Sequence, residues 1–274
     1  MPNPEQLMTE LFWGSLRGQR IGLGSVSLGL FGLSMLLAVS FEAIGGGQAV
    51  EDFFDLLPEA FKALLGAQEG IPTSAEGFLA ADYRHPLYLV MLSSFVIAST
   101  VGAIAREIER GTVLMLLAAP IARWRFLAAK AGALAVGIVL LALAALLGTW
   151  AGITVTGTDG VDMTIFVRVQ IATVLLGFAI GGIGLLVSSF NSDGGQAMGI
   201  TTAVIVVMYF VDFLSLLWDL AEPFGPLSVF HYYDPLAIAR AGAVPATDLV
   251  VLLSVCVACT AGAFVIFARR DITR

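Results

Sequence analysis

Six apolar stretches, each near the roughly 20 residues that cross a bilayer as a helix, constrain this chain more than any other feature. They run over about 21–41, 86–105, 126–150, 168–189, 198–218 and 247–268. In hydrocarbon every backbone N–H and C=O must be bonded within the protein, so apolar runs of this length are helices. Composition agrees: 58% of the 274 residues are hydrophobic and only 13% are charged. Soluble domains carry about a quarter charged residues, and none could hide this much apolar surface. The expected fold is an all-α polytopic membrane protein, one transmembrane domain over residues 1–274. A net charge of −7 argues against a nucleic-acid partner.

The loops give the topology. With the N-terminus in the cytoplasm, the inside segments hold Arg17, Arg20, Arg106, Arg110, Arg123, Arg125, Lys130, Arg269, Arg270 and Arg274. The outside segments hold only Lys62, Arg84, Arg168 and Arg240. The positive-inside rule then places both termini in the cytoplasm of a plasma-membrane protein. Residues 1–20, with Trp13, Arg17 and Arg20, read as an interfacial helix leading into a retained first span rather than a cleaved signal.

The longest charged island lies between the second and third spans, over Arg106–Lys130. It is punctuated. Gly111 suits the left-handed stop of an incoming helix. The Thr112 hydroxyl can cap a new short helix. Val113, Leu114, Leu116 and Leu117 give that helix an apolar face, and Pro120 ends it. A two-turn amphipathic helix at a membrane surface needs something to sit against: lipid, its own bundle, or a groove in another protein.

On the other side, residues 42–85 form a long acidic loop. Phe53, Phe54, Leu56, Leu57, Phe61, Leu64 and Leu65 recur in it at helical spacing, as in an amphipathic helix on the outer face. Gly177, Gly181, Gly182 and Gly184 allow close helix contact at the fourth span. Residues 191–195, NSDGG, form a tight turn into the fifth span. Asp212 is the clearest ionisable residue at membrane depth. Three roles fit it: a solvated outer vestibule, a pathway-lining group, or a structural ion pair. Residues 219–246, broken by Pro223, Pro226, Pro235 and Pro245, read as short helices dipping into the outer leaflet. His85 and His231 stand at outer edges with no nucleophile motif beside them. Cys256 and Cys259 lie one turn apart and read as small packing residues. No metal or cofactor site is expected in this chain.

The punctuated island resembles that of the integral membrane subunits of type-2 ABC exporters. The residues that carry the resemblance are Glu107 or Glu109, Gly111–Thr112, Leu116–Leu117, Pro120, Arg123 and Lys130. The six-span layout and the long first outer loop extend it along the chain. The resemblance implies a permease fold with a cytoplasmic coupling helix seated on a separate ATPase. Two ATPase subunits and a second permease copy or a paralogue would complete the exporter, embedded in membrane lipid. ATP and Mg would be held by the ATPase, because this chain has no phosphate-binding loop of its own, and the chain would not itself be an enzyme. The ATPase-coupling residues would be Glu107, Glu109, Arg110, Gly111, Thr112, Leu114, Met115, Leu117, Pro120 and Arg123. A secondary transporter or channel using Asp212 is the alternative. An intramembrane enzyme is a third reading, and it lacks paired catalytic groups at one depth.

Overall fold

The computed structural model describes residues 4–58, 74–109, 111, 122–158 and 160–270, and the described residues are almost all helical. Ten α-helices are described: α1 (Pro4–Ala43), α2 (Gly46–Asp55), α3 (Ala75–Asp82), α4 (Pro86–Ala103), α5 (Ala105–Glu109), α6 (Arg123–Thr156), α7 (Met163–Phe190), α8 (Gly194–Leu217), α9 (Pro235–Ala241) and α10 (Ala246–Arg269). Two 3-10 turns, Glu222–Leu227 and Val229–Tyr232, precede α9. Among the described residues six helical runs are long and apolar enough to cross a membrane, with α4 and α5 together making the second.

The spans outrun the apolar stretches. α1 is one helix of 40 residues, because no proline interrupts it after Pro4 and its scattered glycines cost less than a break. At 1.5 Å per residue it is about 60 Å long, twice the hydrocarbon thickness of a bilayer. The expected interfacial helix and first span are therefore continuous. In the acidic loop a helix runs over Gly46–Asp55 and contains Phe53 and Phe54; Phe61, Leu64 and Leu65 of the expected amphipathic helix fall in 59–73, outside the described residues.

Local chemistry sets the helix starts. The Asp162, Asp193 and Asp234 carboxylates accept hydrogen bonds from the backbone of Thr164, Gln196 and Leu236. Each satisfies a donor that the first helical turn leaves unbonded. His85 does the same with its ring nitrogen for Leu87, ahead of Pro86.

Close packing sets the order of the bundle. In the α4–α5 span and in α7, 67% of the most apolar window is buried, against 11% in α10. The first pair forms the centre and α10 an edge. Gly184 lies so close to Thr100 that a methyl group would clash, and Gly177 meets Ile138 in the same way. Gly182 faces the backbone of Cys256 and the Cβ of Cys259, so both cysteines pack in the α7–α10 seam. The glycines of the fourth span thus serve contacts within one chain. A second tight seam runs between α1 and α6, where Gly148 and Gly152 abut the backbone at Phe31 and Met35.

Candidate functional site

The two ends of the bundle carry different polar structures. We call the end with α5 and residue 111 the basic end. The end with residues 218–245 is the aromatic end.

At the basic end the second span breaks at Ile104, whose backbone leaves helical geometry (φ −126°, ψ −68°). The break frees the N–H of Ala105, which donates to Ser188 of α7 at 3.0 Å. α5 follows for five residues, and Gly111 then turns at φ +71°. That is the left-handed geometry a side chain resists. Both flanks of segment 110–122 are tied to the bundle. Before it, Glu107 pairs with Lys130 of α6 at 2.8 Å, and the Glu109 carboxylate accepts the N–H of Gly194, the first residue of α8, at 3.0 Å. An anion at a helix N-terminus is favoured by the unbonded N–H groups and the helix dipole. After it, Arg123 at the start of α6 donates to the carbonyls of Ala268 and Arg270. Arg270 in turn donates to the carbonyls of Ser189 (2.8 Å) and Asn191 (2.9 Å) and to the Ser192 hydroxyl. One girdle thus links α5, α6, α7, α8 and α10.

The girdle places the sequence-derived coupling residues unevenly. Glu107, Glu109 and Arg123 are in it, and Gly111 forms the turn between. Arg110, Thr112, Leu114, Met115, Leu117 and Pro120 lie outside the described residues. Nothing local to Gly194 or Arg270 points to these ties, whose partners stand 85 and 81 residues away.

At the aromatic end Asp212 is 5% exposed and pairs with Arg84 at 2.9 Å. The same guanidinium donates to the Tyr233 carbonyl at 2.9 Å and stands 3.9 Å from Asp234. His231 lies 3.8 Å from the other Asp212 oxygen, which has no hydrogen-bond partner. Of the roles open to Asp212, this geometry is that of an ion pair. His85 is a helix cap and does not join the cluster.

Sequence reasoning missed the core beside this pair. Tyr83, Tyr88 and Tyr233 are all fully or almost fully buried. The Tyr83 hydroxyl shares a 2.6 Å hydrogen bond with Thr149, and that of Tyr233 a 2.8 Å bond with Thr173. The Tyr233 hydroxyl also donates to the Tyr83 carbonyl at 3.1 Å. Asp82, 4% exposed, accepts from Ser34 of α1 at 2.8 Å, and burial pushes its carboxyl up to about 7. Burial likewise raises the Tyr83 and Tyr233 phenols.

From this cluster an apolar groove of about 520 Å³ descends between α4 and α8. Tyr209, Phe210, Ile205 and Met198 line its α8 side, and Leu89, Ser93 and Ile97 its α4 side. Among the described residues no group of three or more His, Cys, Asp or Glu side chains is placed to hold a metal.

This is a membrane bundle with a charged, girdled connection between its second and third spans. Residues 26–272 match the profile of the ABC-2 family transporter proteins. The chain belongs to that family. It is a membrane permease of the ABC type, and the family implies an ABC ATPase as its partner. A search of curated proteins finds no match.

Proposed function

We propose that the chain is the permease half of an ATP-driven exporter, with the basic end in the cytoplasm of a plasma-membrane protein. Two copies, or one copy and a paralogue, would stand on two ATPase subunits that hold the ATP and Mg. The observation that supports this reading most is the girdle. The residues on either side of segment 110–122, Glu107 and Glu109 before it and Arg123 after it, belong to contacts that reach five helices, so a displacement passed to these flanks reaches the bundle.

ATP-driven closure of the ATPase pair pushes on segment 112–119, with Leu114, Met115 and Leu117 filling the ATPase groove. Glu109 carries the push to the first turn of α8, and Glu107 carries it through Lys130 to α6. Arg123 and Arg270 hold α10 and α7 to the same frame. α8 forms one wall of the apolar groove, so its movement relative to α4 opens or narrows that groove. The buried share of α8 is only 17% over its most apolar window, and this open face suits a second permease copy. The Arg84–Asp212 pair closes the aromatic end in the resting arrangement. Such coupling needs two discrete arrangements that both ends bias.

Affinity purification from the native host in mild detergent tests the reading. The wild-type chain is expected to bring a soluble ATPase with it. A chain with Leu114→Asp and Leu117→Asp is expected to lose it while remaining folded. A folded wild-type chain that brings no ATPase, even after crosslinking, overturns the proposal. Asp212 already has its charge matched by Arg84, so the ion-coupled alternative gains no support from the geometry.

A further inference from the structure

A second cavity lies at the basic end, in a cleft of about 330 Å³ among α1, α4, α5 and α6. Two observations set it apart. The first concerns its glycines. Gly14, Gly18 and Gly22 recur every fourth residue on α1, and Gly102 faces them from α4. Stripes of this kind usually let two helix backbones touch, as Gly148 and Gly152 do. Here no atom comes within 4 Å of where a Cβ would stand on any of the four. The missing side chains keep a space open.

The second observation concerns the polar groups. The Gln19 side-chain oxygen is buried with no hydrogen-bond partner. A buried acceptor left unbonded costs about 1–3 kcal/mol, so it calls for a donor from outside the chain. Arg106 lines the rim and forms no ion pair with any described residue, whereas its neighbour Glu107 is matched by Lys130. The cleft is therefore graded. A cationic rim gives way to an unbonded acceptor and then to an apolar floor at Phe95 and Ala98.

We propose that this cleft binds one glycerophospholipid. Its phosphate sits on Arg106. The ammonium or hydroxyl of its headgroup donates to Gln19, and one acyl chain runs toward Phe95 over the glycine face. A neighbouring helix does not fit, because with side chains it is about 10–12 Å across. A soluble anion would leave the apolar floor unfilled. The cleft opens beside α1 and α6, on the other side of α4 from the α4–α8 groove, and the two share only Ala98 of their lining. The inference does not rest on the transport reading, because binding is measured on the chain alone.

Native mass spectrometry of the full-length chain, titrated with phosphatidylethanolamine or phosphatidylcholine, tests it. The two headgroups share a phosphate and a positive charge, and only the first has donors. Phosphatidylethanolamine is expected to form a one-to-one adduct at lower concentration than phosphatidylcholine. Removing a charge-assisted contact with Arg106→Ala is expected to weaken that adduct about tenfold. Gly18→Leu is expected to abolish it by filling the cleft. The space around Gly18 is empty, so the substituted chain should fold, and Gly102→Leu fills the cleft from the opposite wall if it does not. A Gly18→Leu or Gly102→Leu chain that unfolds at the wild-type temperature yet binds the lipid equally well overturns the proposal. So does equal binding of the two lipids by the wild-type chain.

Discussion

The two ends of this bundle are held by polar contacts of opposite kinds. At the aromatic end they are buried. Arg84 meets Asp212 among side chains that exclude water, and three tyrosines fill the space beside them. At the basic end the contacts are partly exposed and join helix termini to a short connecting segment. Buried pairs are costly to break because a lone charge is left behind. Exposed ties at helix ends contribute little each and can be remade. Opening the aromatic end therefore costs more than remaking any single tie at the basic end.

Mutations can break this contrast in order of size. Arg84→Ala leaves Asp212 buried and unmatched, and should destabilise the chain by about 3–5 kcal/mol, read as a lower unfolding temperature in detergent. Restoring the balance with Asp212→Asn in the same chain should recover much of that loss. A pH-dependent effect concerns Asp82. Its folded pKa, about 7, lies above the unfolded value of 3.8, so between these values the folded state binds more protons. Stability should then fall as pH rises from about 4 to 7, by at most about 1.4 kcal/mol per unit. Asp82→Asn should flatten that slope, and an unchanged slope would show that Asp82 does not cause it. Tyr233→Phe removes the bond to Tyr83 and perturbs Thr173. It should cost about 1–3 kcal/mol in the same unfolding assay.

The basic end sharpens the contrast from the other side. Glu109→Gln should cost only about 0.3–1 kcal/mol in stability, yet on our reading it should uncouple ATP hydrolysis from transport. The check is a reconstituted complex in which ATPase activity persists while transport is lost. An equal loss of stability at both ends would erase the distinction.

The spans were legible in the sequence because a bilayer demands about 20 apolar residues in a row, and that demand is local. The stop at Gly111 was legible for a similar reason, since one residue type tolerates the required backbone. The ties were not. Glu109 could have served any donor at the surface, and only the fold brings Gly194 to it. Arg84 and Asp212 stand 128 residues apart, and nothing in either neighbourhood points to the other. The tyrosine core escaped notice because aromatic residues near span ends are expected at the membrane interface. Tyr88 and Tyr233 are instead turned inward, where Gln170 is the partner of the first hydroxyl and Thr173 of the second. The open glycine stripe was hidden in the same way. Spacing alone does not separate Gly14, Gly18 and Gly22 from Gly148 and Gly152, and only the opposing wall does.

The contacts of Arg270 bear on the order of assembly. The last carbonyls of α7 have no partner within their own helix, and Arg270 supplies donors to them from beyond the sixth span. During synthesis α7 enters the membrane well before Arg270 is made. Until then the α7 terminus depends on water at the bilayer surface. The bundle locks only after α10 has crossed. A chain stalled between the fifth and sixth spans would therefore leave the carbonyls of Ser189 and Asn191 to water.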